Sequence, residues 1–119
     1  MKAQWGYTKN KRELKRIYLS ILPTIRKVAR ECGYAIGVHG SVTRDFDLIA
    51  VPWIKKPLKP VTLMQRIELA VCQYPRKEHF HWRTVSKTVA HKAHGRVAYS
   101  IYLGRHAYID LSIISPHQE

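Results

Sequence analysis

Gly37-Val38-His39-Gly40-Ser41-Val42-Thr43-Arg44-Asp45-Phe46-Asp47-Leu48-Ile49-Ala50-Val51 reads as a strand, a tight glycine-serine turn and a second strand that carries two carboxylates. Successive side chains of an extended strand alternate between faces, so Asp45 and Asp47 share one face while Phe46 and Leu48 share the other. Two like charges so close repel unless a cation lies between them. Hard oxygen ligands of this kind suit Mg2+ or Mn2+, which keeps part of its water shell for substrate phosphates. Just upstream, Gly40 lets backbone amides approach a phosphate, and Ser41 adds a hydroxyl. A bare Asp-x-Asp is common by composition alone. The plainer reading makes Asp45 a turn residue and Asp47 a surface hydrogen-bond acceptor.

A third carboxylate weighs against the plainer reading. Asp110 stands in Ala107-Tyr108-Ile109-Asp110-Leu111-Ser112-Ile113-Ile114, a strand-like run with apolar flanks, where a charged residue needs a partner. Tyr108, Asp110 and Ser112 share a face. If this strand lies beside the Asp45 strand, Asp110 completes an acidic cluster; a one-residue register slip would turn it away. Three carboxylates on neighbouring strands with a Gly-Ser turn nearby can hold one or two divalent ions against a triphosphate.

With these residues in place the chain resembles the nucleotidyltransferase superfamily, the group related to DNA polymerase beta. Its members carry a Gly-Ser or Gly-Gly pair after a first strand, an Asp-x-Asp or Asp-x-Glu strand, and a third acidic residue on a later strand. Gly40 and Ser41 match the first element, Asp45 and Asp47 the second, and Asp110 the third. The run His39-Gly40-Ser41 followed by Arg44-Asp45-Phe46-Asp47-Leu48-Ile49-Ala50-Val51-Pro52-Trp53 is also similar to a set of small proteins found in phage genomes. The resemblance implies a nucleoside triphosphate bound through Mg2+ or Mn2+, and transfer of a nucleotidyl group to an acceptor hydroxyl. In that reading Asp45 and Asp47 grip the ions, and Asp110 shares the second and helps deprotonate the acceptor. Gly40 and Ser41 hold phosphate oxygens, and Arg44 neutralises the leaving pyrophosphate. The family pattern has a longer, partly helical segment between the Gly-Ser pair and the first aspartate. Here only Val42, Thr43 and Arg44 intervene.

Upstream, Leu14, Ile17, Tyr18, Ile21, Leu22, Ile25, Val28, Ala29 and Cys32 recur at spacings of three and four, which predicts an amphipathic helix from Lys11 to Cys32. Its opposite face is basic. Pro23 is expected to kink the helix or divide it near Ser20, and Gly33 to stop it. Residues 1–10, with Trp5 and Tyr7, read as an arm that is flexible or loosely docked. Tyr34 to Val38 and Phe46 to Trp53 are the first two strands. The following Lys55-Lys56-Pro57-Leu58-Lys59-Pro60 reads as a stiff basic connector beside the acidic site. Thr62 is expected to cap a second helix whose apolar face includes Leu63, Ile67, Leu69, Ala70, Val71 and Tyr74, with Pro75 ending it.

Arg76 to Arg96 is the least legible stretch. His91 and His94 have helical metal-ligand spacing without a helix signal or an acidic partner. A better reading is a basic rim, with Lys87, Lys92 and Arg96 meeting phosphates and His81 or Trp82 a base. Val97 to Leu103 and His106 to Ile114 form a hairpin about Gly104-Arg105. The sum is one α+β domain over 1–119, with a small mixed sheet of about four strands and two helices on one face.

Twenty-one Lys and Arg against eight Asp and Glu give a formal charge of +13, which points to an anionic partner. Two distant cysteines argue for buried thiols rather than zinc. No run is long and apolar enough to span a bilayer and no cleavable leader is evident, so a soluble, cytoplasmic protein with no membrane partner is expected, in the host cytoplasm if phage-encoded. Beside the enzyme reading stand two others. One is a non-catalytic basic protein that binds DNA or RNA through its lysines and arginines. The other is a module that binds a triphosphate without turning it over, which the short Gly-Ser to Asp45 spacing favours.

Overall fold

The structure is a computed structural model that describes residues 11–40, 42, 45–73, 85–92, 96–104 and 107–114. The elements run α1 (Lys11–Glu31), β1 (Tyr34–His39), β2 (Asp45–Pro52), α2 (Pro60–Gln73), β3 (Val85–Lys92), β4 (Arg96–Gly104) and β5 (Ala107–Ile114). The architecture is α+β: one mixed sheet in the order β1-β2-β5-β4-β3, with both helices on one face. The sheet has five strands where about four were expected, because β3 comes from the stretch that carried no clear sequence signal.

α1 forms where the periodicity predicts it, and the whole predicted stripe from Leu14 to Cys32 is buried or, at Val28, half-buried. Pro23 does not divide it. The helix runs unbroken through Pro23, and Ser20 near the expected break donates its hydroxyl back to the Ile17 carbonyl at 2.6 Å. Gly33 ends the helix with a φ of +95°, the left-handed conformation expected past a helix C-terminus. A Cβ there would come within 2.7 Å of Ile54 and 2.9 Å of the Pro57 backbone, so this position also needs the missing side chain for space. α2 starts at Pro60, two residues before Thr62: the Lys59 carbonyl accepts from the Leu63 amide at 3.0 Å, which leaves Pro60 at the first helical position, where its missing N–H costs nothing. Leu69, expected on the apolar face, is exposed, and Met64 is buried instead. Tyr74 lies outside the described residues.

One core lies between the helices and the sheet, built from Tyr34 and Ile36 of β1, Phe46, Leu48 and Ala50 of β2, Ile109, Leu111 and Ile113 of β5, and Tyr99 and Ile101 of β4. The strict alternation in β2 and β5 leaves the intervening residues, among them Asp45, Asp47 and Asp110, on the face away from the helices. Cys32 is a buried free thiol, as expected; the Cys72 side chain is outside the described set. Among the described residues, no helix is long and apolar enough to cross a membrane.

The connector after β2 corrects its expected place. Its Lys55 and Lys56 are exposed and Pro57 is buried; the Leu58 amide donates to the Cys32 carbonyl at 2.9 Å, and the Leu58 carbonyl accepts from the Tyr34 hydroxyl at 2.6 Å. These bonds fasten it to the end of α1. It therefore leaves β2 at the Pro52 end, about 23 Å along the strand from Asp45 at ~3.3 Å per residue. It is not beside the carboxylates.

Candidate metal centre

β2 and β5 are parallel neighbours in a register that sets Asp47 directly beside Asp110. β1 pairs His39 with Asp47, and β4 pairs Ser100 with Asp110. One row across four strands on the open face therefore reads His39, Asp47, Asp110, Ser100. Asp45 extends past the end of β1 and flanks this row. Carboxylate oxygens of Asp45, Asp47 and Asp110 all lie within 4.8 Å of one another, and each residue is half-buried. The donor set is all oxygen and rich in negative charge, which suits a hard divalent cation such as Mg2+ or Mn2+.

The electrostatics agree with that donor set. Burial, repulsion from Asp110 and Asp45, and a hydrogen bond shared with Asp110 push the Asp47 carboxyl above its ordinary value; His39 pulls the other way. The metal-free cluster thus retains a proton more readily than isolated carboxylates would. Ser100 donates its hydroxyl to Asp110 Oδ1 at 3.0 Å and fixes that carboxylate's orientation.

Between β1 and β2, two of the described residues take left-handed backbone conformations. Gly40 has a φ of +83° and Val42 a φ of 59°. For a β-branched residue this is a true outlier, costing on the order of 1–3 kcal/mol. Val42 is held there by its buried side chain, 6% exposed within the core. Gly40 lies against the carboxylates: a Cβ on it would sit 3.4 Å from Asp47 Oδ2.

Beneath the cluster, Tyr18 of α1 is fully buried and its ring stacks on Phe46, with centroids 4.9 Å apart and planes at 16°. Its hydroxyl accepts from the Tyr108 amide at 3.2 Å, tying α1 to the start of β5. Burial chiefly, with added repulsion from the three carboxylates and against the pull of the Tyr108 amide, pushes the phenol up to about 12.

The predicted site residues thus divide. Asp45, Asp47 and Asp110 come together, with Gly40 beside them. Ser41 and Arg44 lie outside the described residues, as do His79, His81, Trp82 and His94. Arg96 pairs with Ile114, four residues along β4 from Ser100, so about 13 Å of strand separates it from the row. His91 is in a strand, where helical ligand spacing has no meaning. The sequence reading missed Ser100, His39 and Tyr18. Ser100 was recoverable only from the register that buries Tyr99 and Ile101 while leaving Asp110 on the open face, and His39 from its place opposite Asp47. Nothing in the helical periodicity sets Tyr18 apart from its apolar neighbours. Comparison of the chain with protein-family models, with curated proteins and with solved structures gave no match.

Proposed function

We propose that the protein is a divalent-metal-dependent nucleotidyltransferase of minimal size, acting on a nucleoside triphosphate and an acceptor hydroxyl. The observation that carries this reading is the convergence of Asp45, Asp47 and Asp110 within 4.8 Å on the open face of the sheet, next to the left-handed Gly40. The resemblance of Gly40-Ser41 and Asp45-x-Asp47 to the superfamily pattern points the same way.

Asp45, Asp47 and Asp110 would hold Mg2+ or Mn2+. A cation bound there neutralises phosphate oxygens and favours in-line displacement. Burial and the repulsion from Asp110 and Asp45 hold the Asp47 carboxyl above its ordinary value, so protons compete with the metal on the acid side and affinity for the metal rises with pH. Asp110, oriented by Ser100, faces the acceptor hydroxyl and takes part in removing its proton. Gly40 presents backbone close to the carboxylates without a side chain to exclude phosphate oxygens, and Ser41 and Arg44 supply a hydroxyl and a positive charge to the triphosphate.

Calorimetric titration of the four ribonucleoside triphosphates, with and without Mg2+, into wild type and the Asp45→Asn, Asp47→Asn double variant tests this. Magnesium-dependent binding that disappears in the variant is expected. A folded wild type that binds none of them with Mg2+ present would sink the reading.

A further inference from the structure

A concave site lies at the other end of the first strand. Arg26 and Arg30 of α1, Tyr34, Ala35 and Ile36 of β1, and Trp53 line a groove of about 410 Å³, within the ~300–1,000 Å³ usual for ligand sites. Ala35 is four residues from His39, about 13 Å along the strand, so the groove is separate from the carboxylate cluster.

Its chemistry is specific. Arg26 and Arg30 are both exposed and, at a spacing of four, project from the same face of α1 about one turn apart. The Arg30 guanidinium sits 5.4 Å above the Trp53 ring, and Trp53 is 54% exposed. The carboxylate next to Arg30 in sequence, Glu31, is taken by Lys27 at 2.9 Å. Among the described residues no carboxylate pairs with either arginine, so their charge is available to a ligand. Lys55 and Lys56, both exposed, follow Trp53 after Ile54 and extend the positive surface. β1 is an edge strand, and its Ala35 and Gly37 leave the approach to the groove low and unobstructed.

We propose that this groove binds single-stranded nucleic acid, with Arg26 and Arg30 on successive phosphates and Trp53 with the Arg30 guanidinium forming a planar surface for a base. Basic grooves with an aromatic platform bind single strands in this way, because every base has a face to stack. A duplex keeps its bases stacked on one another and offers none to Trp53. An acidic peptide could use the same charges and the free strand edge, but it leaves the planar Arg30–Trp53 surface without a planar partner. The assignment does not depend on what the carboxylates do.

The test is fluorescence anisotropy of labelled oligo(dT) and oligo(U) across a salt series, with wild type, Arg26→Ala/Arg30→Ala, Trp53→Ala, Trp53→Phe and the charge-matched control Arg12→Ala/Lys15→Ala. All the altered side chains are on the surface, and thermal melts check folding. Wild type is expected to bind a single strand more tightly than a duplex. Loss of both arginines should flatten the log–log salt slope by about 1.4, at ~0.7 per phosphate contact on a single strand. Trp53→Ala should weaken binding roughly tenfold, with Trp53→Phe recovering most of it. The Arg12/Lys15 control should stay within about twofold of wild type. Equal loss in that control would mean diffuse charge rather than a groove, and would overturn the proposal. So would unchanged binding in the groove variants, or a poly-Glu peptide that displaces the strand with the same sensitivity to Trp53.

Discussion

Replacing Asp47 by Asn should make the metal-free protein more stable, although it deletes a residue of the candidate site. In the wild type the carboxylate oxygens of Asp45, Asp47 and Asp110 lie within 4.8 Å of one another. Two full charges at that distance repel by about 1 kcal/mol in a water-like dielectric and ~3.5 kcal/mol at an effective dielectric of 20. The site is half-exposed, so screening favours the lower part of that range, and the proton shared with Asp110 removes part of it. An asparagine also offers an N–H to Asp110 where the carboxylate offers none. A net gain of about 1–2 kcal/mol at neutral pH follows, which for a chain of this length raises Tm by about 3–6 °C per kcal/mol. The sign with pH is fixed by the direction of the shift. Asp47 is raised above its ordinary value of 3.8, so the folded state binds the proton more tightly than the unfolded chain does. The wild type therefore loses stability as pH rises from 3.8 through the raised value, and the two proteins converge in acid. Differential scanning calorimetry in chelator and in Mg2+ reads all of this. Mg2+ should reverse the order, since a ligand at one hundred times its Kd stabilises the folded wild type by about 2.7 kcal/mol, while the variant gains little. An asparagine variant no more stable than wild type in chelator at neutral pH would refute the reasoning, because the carboxylates would then not be repelling one another.

Three further substitutions probe the fold and the surroundings of the cluster. Gly33→Ala must force a Cβ to within 2.7 Å of Ile54 and 2.9 Å of the Pro57 backbone at a φ of +95°; a loss of about 2–4 kcal/mol in urea denaturation is expected. Gly40→Ala, at a φ of +83° with its Cβ 3.4 Å from Asp47 Oδ2, should cost about 1–2 kcal/mol of stability and weaken Mg2+ binding by calorimetry more than an equally destabilising core variant does. Tyr18→Phe removes the acceptor of the Tyr108 amide and should cost about 0.5–1.5 kcal/mol. In the wild type the same phenol, raised from 10.0 to about 12, keeps its proton longer when folded. Stability is therefore lost as pH climbs from 10 towards 12, and since burial also pushes Tyr34 up to about 12 and raises Tyr99, tyrosinate absorbance of the folded protein should show a late-ionising set that Tyr18→Phe reduces by one group.

How much of this was legible in the sequence depends on the range of the interaction that decides each feature. The stripe from Leu14 to Cys32 and the alternation of Asp45-Phe46-Asp47-Leu48 are local patterns with one burial solution each, and α1 and β2 follow them. Leu69 shows the limit of a local pattern: its spacing fits an apolar face, but the width of the surface that α2 covers leaves it outside. β3 was missed because Val85-Ser-Lys-Thr-Val-Ala-His-Lys has only weak apolar alternation, and it is recruited as an edge by pairing with β4. The connector was misplaced because sequence proximity to Asp47 was read as spatial proximity, whereas a strand carries its two ends far apart.

The triad shows the same principle at its sharpest, because its third member depends on register rather than pattern. A two-residue loop of Gly104 and Arg105 would set Leu103 against His106 and hence Asp110 against Tyr99, a pairing that cannot keep Asp110 on the open face and Tyr99 in the core. In the structure Gly104 pairs with Ala107, and a shift between Tyr102 and Gly104 puts Asp110 opposite Ser100. That one-residue difference satisfies both demands at once. It buries Tyr99 and Ile101 with the core and brings Asp110 beside Asp47 on the other face. Hydrophobic burial on one side of the sheet thus selects the register that gathers the carboxylates on the other. The repulsion they suffer there is tolerated because the core residues beneath, Phe46, Leu48, Ile109 and Leu111, hold both strands from behind.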